Sequence, residues 1–446
     1  MTRSTIIVAF LCTLLALAAG VAASATGALA VAVFVGIGLA VAAFIDLRIT
    51  LLAIVPVMVL LPELPLAVPV RTEDLLMAPL VAGWLARLAL DRESWPSTPL
   101  NRPLIAVIVV ELAAVFWGLY RGTTGLAPQL YSASFFLLKT VEVTFLYWIA
   151  VSALRTWRDV RTFAIVFCAS AAALGLWGVL ESGAGAAGAA ITGPAGHAGY
   201  SLLGLTFVVL LAVLTSLFLT QRTRLPRILL AVAAIPVAYS LVFTFSRQSY
   251  VGAAAAIAAI VWVRSRRLIV PALLLALALP VLVPEVVQER AESIFTNAPD
   301  PLTEMQPYTT RMNALRERLP EVLSQSPLVG FGLAALPPGF LDNQYLLVLY
   351  YTGLIGLAVF LWLLWTATRT SFGAARSLEG EKKGVALAWF AATVGLAVAG
   401  LAGSPFVAVR VRQVYWFLAA LAVAAYRISG AGQPNQRPPE AAGVAD

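Results

Sequence analysis

The sequence predicts an all-α, polytopic integral membrane protein of about 12–14 transmembrane helices, with one long extracytoplasmic loop that carries a short amphipathic helix. Three observations predict it. The first is composition. The 446 residues are 61% hydrophobic and 12% charged, with a mean hydropathy of +0.90, whereas a soluble chain is about 45–50% apolar and about 25% charged. The second is run length, because apolar stretches near the roughly 20 residues of a bilayer crossing recur from end to end. The third is charge parity: clusters of Arg and Lys separate these stretches two at a time.

Taken in order, the apolar runs fall at 5–23, 27–45, 49–69, 74–90, 103–120, 133–154, 160–180, 199–220, 227–245, 249–263, 267–284, 343–366, 384–403 and 411–428. They are rich in Ala, Leu and Val without strand-like alternation, which predicts helices rather than barrel strands. The first run, with Arg3 before it and Ala23-Ser24-Ala25 after it, imitates a cleavable signal. A second run follows at once, so an uncleaved first span is expected. The third contains Pro56, Pro62 and Pro65 and predicts a short or re-entrant segment. The sixth carries Lys139 and Glu142 on one helix face, a neutralised pair turned toward protein. Glu111 stands alone in the fifth and marks a polar cavity. Cys12 and Cys168 both lie in apolar runs, as buried thiols do, and form no disulfide framework.

Loops rich in Arg and Lys stay cytoplasmic. Arg155, Arg158 and Arg161 form one such cluster; Arg222, Arg224 and Arg227 a second; Arg264, Arg266 and Arg267 a third; Arg369, Arg376, Lys382 and Lys383 a fourth. Two spans separate each from the next, which puts both termini in the cytoplasm. The net charge of +8 is then loop chemistry, not an affinity for nucleic acid. The remaining loops fall outside, and several carry Arg against the trend: Arg71, Arg121, Arg247, Arg290, Arg311, Arg316, Arg318, Arg410 and Arg412. An anionic ligand at the outer face would account for them, since guanidinium groups bind phosphate and carboxylate in a fork. The chain accordingly divides into N-terminal helices (1–190), central helices with a Ser-Arg pair (191–284), the outer loop (285–342), C-terminal helices (343–428) and a disordered cytoplasmic tail (429–446).

The outer loop is too long to be a plain connector. Met312, Leu315, Leu319, Val322 and Leu323 recur in it at helical spacing, and Pro320 is expected to kink or interrupt that helix. Polar groups then gather at three places. Ser246-Arg247-Gln248 lies between two apolar runs with almost no loop. Its Arg either snorkels to the interface or faces a polar cavity, and Ser246, Gln248 and Ser249 add hydrogen-bonding groups. Ser326-Pro327-Leu328-Val329-Gly330-Phe331-Gly332 is a turn. Asp342-Asn343 opens the next apolar run, either as a helix cap or with Asp342 as a carboxylate able to accept a proton. His197, with no Cys or carboxylate near it, is a poor metal ligand. No phosphate-binding loop, HExxH helix or paired-Cys pattern occurs.

Those pieces share an order. Ser246-Arg247-Gln248, then Arg311 with Pro327-Leu328-Val329-Gly330-Phe331-Gly332, then Asp342-Asn343-Gln344-Tyr345-Leu346 with Gly353-Leu354-Ile355-Gly356, resemble the O-antigen ligase/O-antigen polymerase superfamily over about residues 190 to 366. The resemblance implies a glycosyltransferase in a bacterial cytoplasmic (inner) membrane with its active site on the extracytoplasmic face. It would take a saccharide from a polyprenyl-diphosphate-linked glycan donor and pass it to a glycan or lipid acceptor, with inversion and without metal, nucleotide sugar or other cofactor. On this resemblance Arg247, Arg311 and Asp342 are catalytic. Arg247 and Arg311 hold the diphosphate, and Asp342 stands where ligases commonly have histidine, which favours the polymerase branch. Ser246, Gln248, Arg318, Asn343, Gln344 and Tyr345 are the expected substrate-binding residues. Tyr345, Tyr350 and Tyr351 either stack on sugar faces or pack as ordinary interface aromatics. Two other classes fit the hydropathy: a transporter or flippase of a lipid-linked saccharide, and a scaffold in a glycan assembly complex. Transporters often show internal repeats; none is evident in this chain.

Overall fold

The computed structural model describes residues 38–39, 41–61, 71–90, 93–121, 126–184, 190–194, 200–264, 308–333 and 342–430, with the backbone alone over 126–132 and 308–314. Twelve α-helices and no strand occur among the described residues. In chain order they are α1 (Leu47–Leu60), α2 (Thr72–Ala89), α3 (Asn101–Arg121), α4 (Leu126–Ala153), α5 (Trp157–Ala184), α6 (Tyr200–Thr220), α7 (Arg224–Phe243), α8 (Arg247–Arg264), α9 (Tyr308–Gln325), α10 (Gln344–Ser377), α11 (Gly380–Ala399) and α12 (Val409–Ile428). Seven are long and apolar enough to cross a membrane: α3, α4, α5, α6, α7, α10 and α11. The protein is an all-α, multi-pass membrane protein. The runs expected at 5–23 and 267–284, most of 27–45, His197 and the tail from 431 lie outside the described residues.

The helices form shells, and their composition says which is which. Exposed Leu225, Ile228, Leu229, Val232 and Ile235 make an apolar stripe along α7. Ile105, Val109, Leu112 and Phe116 do the same on α3. Such stripes would aggregate in water and are at home against lipid. At the centre stands α12, buried at every position from Val409 to Ala425. Helices α8 and α11 approach closely through small residues. A Cβ at Gly252 would lie 3.0 Å from Ala399 Cβ, and one at Gly395 would lie 2.7 Å from Gly252 O. Small residues four apart on both helices are what allows membrane helices to pack backbone to backbone.

Basic connections gather at one end of the bundle. Arg161 Nε pairs with Glu381 Oε2 at 3.2 Å, and Gln221 Nε2 donates to Glu381 Oε1 at 2.9 Å. Arg155 Nη2 pairs with Glu93 Oε2 at 2.6 Å. The other end holds the N-termini of α6, α8, α10 and α12. There α9 lays its apolar stripe of Leu315, Leu319 and Val322 on Leu346, Leu349 and Tyr350 of α10. Pro320 lies inside α9, which runs on to Gln325 without interruption. Similarly, Pro56 lies inside α1, which ends at Leu60 and is indeed short.

Helix α10 is broken at Gly353, whose φ of 66° and ψ of −166° are far from helical. The break removes the bonds from Leu354 and Ile355 N–H to the carbonyls of Tyr350 and Tyr351, one turn earlier. The turn at 326–332 replaces both. Phe331 N–H donates to Tyr350 O at 2.8 Å and Gly332 N–H to Tyr351 O at 3.0 Å, while Leu354 and Ile355 N–H donate to Pro327 O (2.8 Å) and Leu328 O (3.2 Å). Trp117 Nε1 of α3 donates to Gly330 O at 3.0 Å, and Leu333 N–H to Ala114 O at 3.1 Å. Backbone groups within a membrane must find partners inside the protein, and this turn supplies them.

Candidate functional site

The α7–α8 link is only Thr244, Phe245 and Ser246, and Phe245 takes a positive φ of 50°. A bulky residue rarely adopts that region, and strain of about 1–3 kcal/mol is typical of it. The strained corner leads into Ser246 and then into Arg247, the half-buried first residue of α8. Ser246 Oγ and Ser249 Oγ lie 2.7 Å apart. Gln248 Nε2 donates to Ser201 Oγ of α6, and its side chain rests on Gly403.

At the start of α10 the two polar residues divide their tasks. Asn343 caps the helix, its Oδ1 accepting from Tyr345 N–H and Leu346 N–H at 3.0 Å each, while Nδ2 donates to Leu401 O at 2.9 Å. Asp342 precedes the cap and is half-buried. Gln344 is fully enclosed, with its N–H on Gly400 O at 2.8 Å and its Oε1 accepting from Phe406 N–H at 2.9 Å. Tyr345 Oη donates to Ala397 O at 2.7 Å and its ring meets Phe360 edge-on, which is a packing role. The segment 400–408 therefore touches both motifs, Gln248 from α8 and Asn343-Gln344 from α10. Replacing Gln344 by Leu leaves the buried Phe406 N–H without an acceptor, and a loss of about 1–3 kcal/mol is expected. Thermal unfolding in detergent measures it, and an unchanged midpoint would remove this structural role.

Two expected members stand apart. Arg318 is on α9, where Nη1 pairs with Glu321 Oε2 at 2.7 Å, and this hydrogen bond holds the guanidinium above its ordinary pKa. Arg311 lies in the first turn of α9, and its side chain is outside the described residues.

Beyond segment 400–408, α12 begins with Arg410 and Arg412, and these lead into a buried charge cluster. Arg410 Nη2 donates to Leu61 O at 2.6 Å. Lys139 Nζ of α4 binds Asp74 of α2 and, at 2.8 Å, Glu142 Oε2. Gln413 Nε2 donates to Glu142 Oε1 at 3.0 Å. Arg412 Nη1 donates to Thr140 Oγ1 at 2.9 Å. Arg71 Nη1 lies 4.0 Å from Glu73 Oε1, in a carboxylate that is 1% exposed. Sequence reasoning singled out Lys139–Glu142, Glu111, Arg71, Arg410 and Arg412, each for being charged in the wrong surroundings. It missed Glu73, Asp74, Thr140 and Gln413, whose only signal is that they are polar beside an apolar run.

No protein-family model matches the chain, and a search of curated proteins finds no match.

Proposed function

We propose that this protein is an extracytoplasmic glycosyltransferase that moves a saccharide from a polyprenyl-diphosphate carrier onto a lipid-linked glycan, as a polymerase rather than a ligase. One observation carries the reading: Ser246-Arg247-Gln248 and Asp342-Asn343-Gln344, far apart in sequence, open two helices against the same segment, 400–408. This supports a shared site with a guanidinium on one helix start and a carboxylate beside the other. The strained backbone at Phe245 agrees with it, because strain persists where a residue must be aimed.

In this reading the acceptor hydroxyl attacks the anomeric carbon as the bond to the diphosphate oxygen breaks. The bonding pair leaves with the diphosphate, and the hydroxyl proton passes to Asp342. Arg247, with Arg311, meets the charge that grows on the leaving group, and attack from the opposite side inverts the anomeric centre. An aspartate, with a reference pKa of about 3.9, is a weak base, which suits proton uptake late in the step.

The test uses the purified chain in liposomes with a polyprenyl-diphosphate oligosaccharide and no nucleotide. Longer glycan is expected. Arg247→Ala should lower the rate about 10²–10³-fold at equal protein, as for loss of one preorganised donor. Asp342→Asn should lower it about 10²–10⁴-fold; full activity in that variant would sink the base. The charge cluster on the membrane helix α4 favours a second reading, movement of a lipid-linked saccharide across the bilayer. Labelled lipid that crosses the liposome while no glycan lengthens would decide for it.

A further inference from the structure

Arg412 is almost wholly buried, yet among the described residues only Nη1 of its guanidinium has a hydrogen-bond partner; Nε and Nη2 have none. These two are the atoms whose N–H bonds run parallel, the fork that grips both oxygens of a carboxylate or phosphate. Thr140 holds the other nitrogen, which fixes the plane of the group. An unmatched fork in a buried place is costly unless a ligand or water completes it.

The space beside it exists. A cavity of about 120 Å³ lies between α3, α4, α10 and α12, and Arg412, Glu111, Thr140, Gln344 and Tyr351 are among the polar residues in its otherwise largely apolar wall. The break at Gly353 shapes it, since Tyr351 and Thr352 precede the break and Leu333 follows the inserted turn. Glu111 has the opposite need to Arg412. Thr140 and the charge of Arg412 are its neighbours, but among the described residues its Oε2 is buried with no donor. The pair therefore calls for a ligand with two coplanar acceptor oxygens and a hydroxyl nearby.

Charge narrows the class. Around the cavity Arg71, Lys139, Arg410 and Arg412 stand against Glu73, Asp74, Glu111 and Glu142, close enough to interact. Cations and carboxylates already balance there. Among the anions that a guanidinium fork can grip, one of single charge disturbs that balance less than a phosphate dianion does. The small volume admits one edge of a sugar ring, not a diphosphate with its substituents.

We propose that this cavity is a binding site for the carboxylate of a hydroxylated acid, with Arg412 gripping the carboxylate and Glu111 accepting from the neighbouring hydroxyl. The acid is a uronic-acid unit of the glycan, an assignment that rests on the function proposed above; the carboxylate site itself does not. A uronic acid bears its carboxylate and nearest hydroxyl on adjacent ring carbons, one group for each of the two wall residues.

The experiment is a titration of the full chain in lipid nanodiscs, followed by thermal unfolding, with sodium D-glucuronate, D-glucose and inorganic phosphate as separate probes. Glucuronate is expected to raise the unfolding midpoint saturably, glucose not at all, and phosphate less than glucuronate. Arg412→Lys keeps the charge and loses the fork, so the apparent affinity should fall about tenfold or more, which is about 1.4 kcal/mol. Thr140→Val, which frees Nη1 to swing, should weaken binding too and serves if Arg412→Lys does not fold. Equal shifts by glucose, stronger shifts by phosphate, no shift with any probe, or wild-type affinity in both variants would overturn the site. Glucuronate binding without glycan transfer would remove the transferase reading alone; transfer without glucuronate binding would remove this site alone.

Discussion

Replacing Lys139 by Met destabilises the folded protein by about 3–5 kcal/mol, the range found when one partner of a buried ion pair is removed. The size follows from what is left behind. Lys139 is 2% exposed and lies between two carboxylates, Asp74 from α2 and Glu142 one turn along its own helix. Without the ammonium, two like charges face each other, Glu142 deeply enclosed and Asp74 partly so, and both lose the ion pair that Lys139 made with them. Asp74 also accepts from Arg71 N–H at 3.0 Å at the start of α2, so the disturbance reaches that helix end. Equilibrium unfolding in a mild detergent measures the loss, and a change below about 1 kcal/mol would show that the carboxylates do not depend on Lys139. Adding Asp74→Asn to Lys139→Met should restore part of the stability, because the repulsion is then gone. A Lys139→Met, Asp74→Asn, Glu142→Gln protein that matches the wild type would say more. It would mean that the charges are not there for stability, since apolar or neutral replacements of buried ion clusters are often no less stable, and would turn attention to their use in binding.

The membrane helices were legible because the signal that defines them is length. Runs at 103–120, 199–220 and 384–403 correspond closely to α3, α6 and α11. What hydropathy does not report is position within the bundle. Helix α12 carries Arg410, Arg412 and Arg427 and is not among the helices apolar enough to cross a membrane, yet it is buried at every position from Val409 to Ala425. Hydropathy measures transfer to lipid, whereas α12 is transferred to protein, where guanidinium groups can be met by carboxylates. The same distinction limited the reading of the site. Lys139 and Glu142 could be paired from their spacing, because three residues along a helix fixes their geometry. Asp74 could not, because it arrives from another helix through the fold. At Asp342-Asn343 both residues suit a cap; the geometry of α10 selects Asn343, and this leaves the carboxylate outside the helix, beside the motif rather than inside the cap. Arg247, by contrast, was marked by a purely local fact, an Arg with almost no loop around it, and that fact does not depend on tertiary partners.

Gly353→Ala is expected to destabilise the protein by about 3–5 kcal/mol, combining about 1–3 kcal/mol for a side chain in a backbone region open essentially to glycine with a similar cost for overpacking. The sequence reads Gly353 and Gly356 as two small residues one turn apart in a continuous helix, and nothing local distinguishes them. The fold does. A Cβ at 353 would stand 2.3 Å from both C and O of Leu328, which are backbone atoms and cannot rotate away. Those atoms belong to the turn that accepts from Ile355 N–H and fills the break in α10. Moving the turn would therefore release the four hydrogen bonds that replace the lost helical pair, inside a region where water cannot take their place. The control lies on the same helix. A Cβ at Gly373 meets nothing within 4 Å, so Gly373→Ala should be neutral or stabilising by about 0.5–1 kcal/mol. Thermal unfolding of the two variants in one detergent gives the comparison, and similar midpoints would mean that the break at Gly353 does not hold the turn. Should the break hold it, the loss in Gly353→Ala extends to the cavity, because Tyr351 and Thr352 stand immediately before the break and Leu333 follows the turn. Glucuronate titration of that variant would then show weaker binding although no residue that touches the probe has been changed. The turn motif and the glycine pair, separate features of the sequence, would thereby act as one device that keeps a membrane helix open beside Arg412.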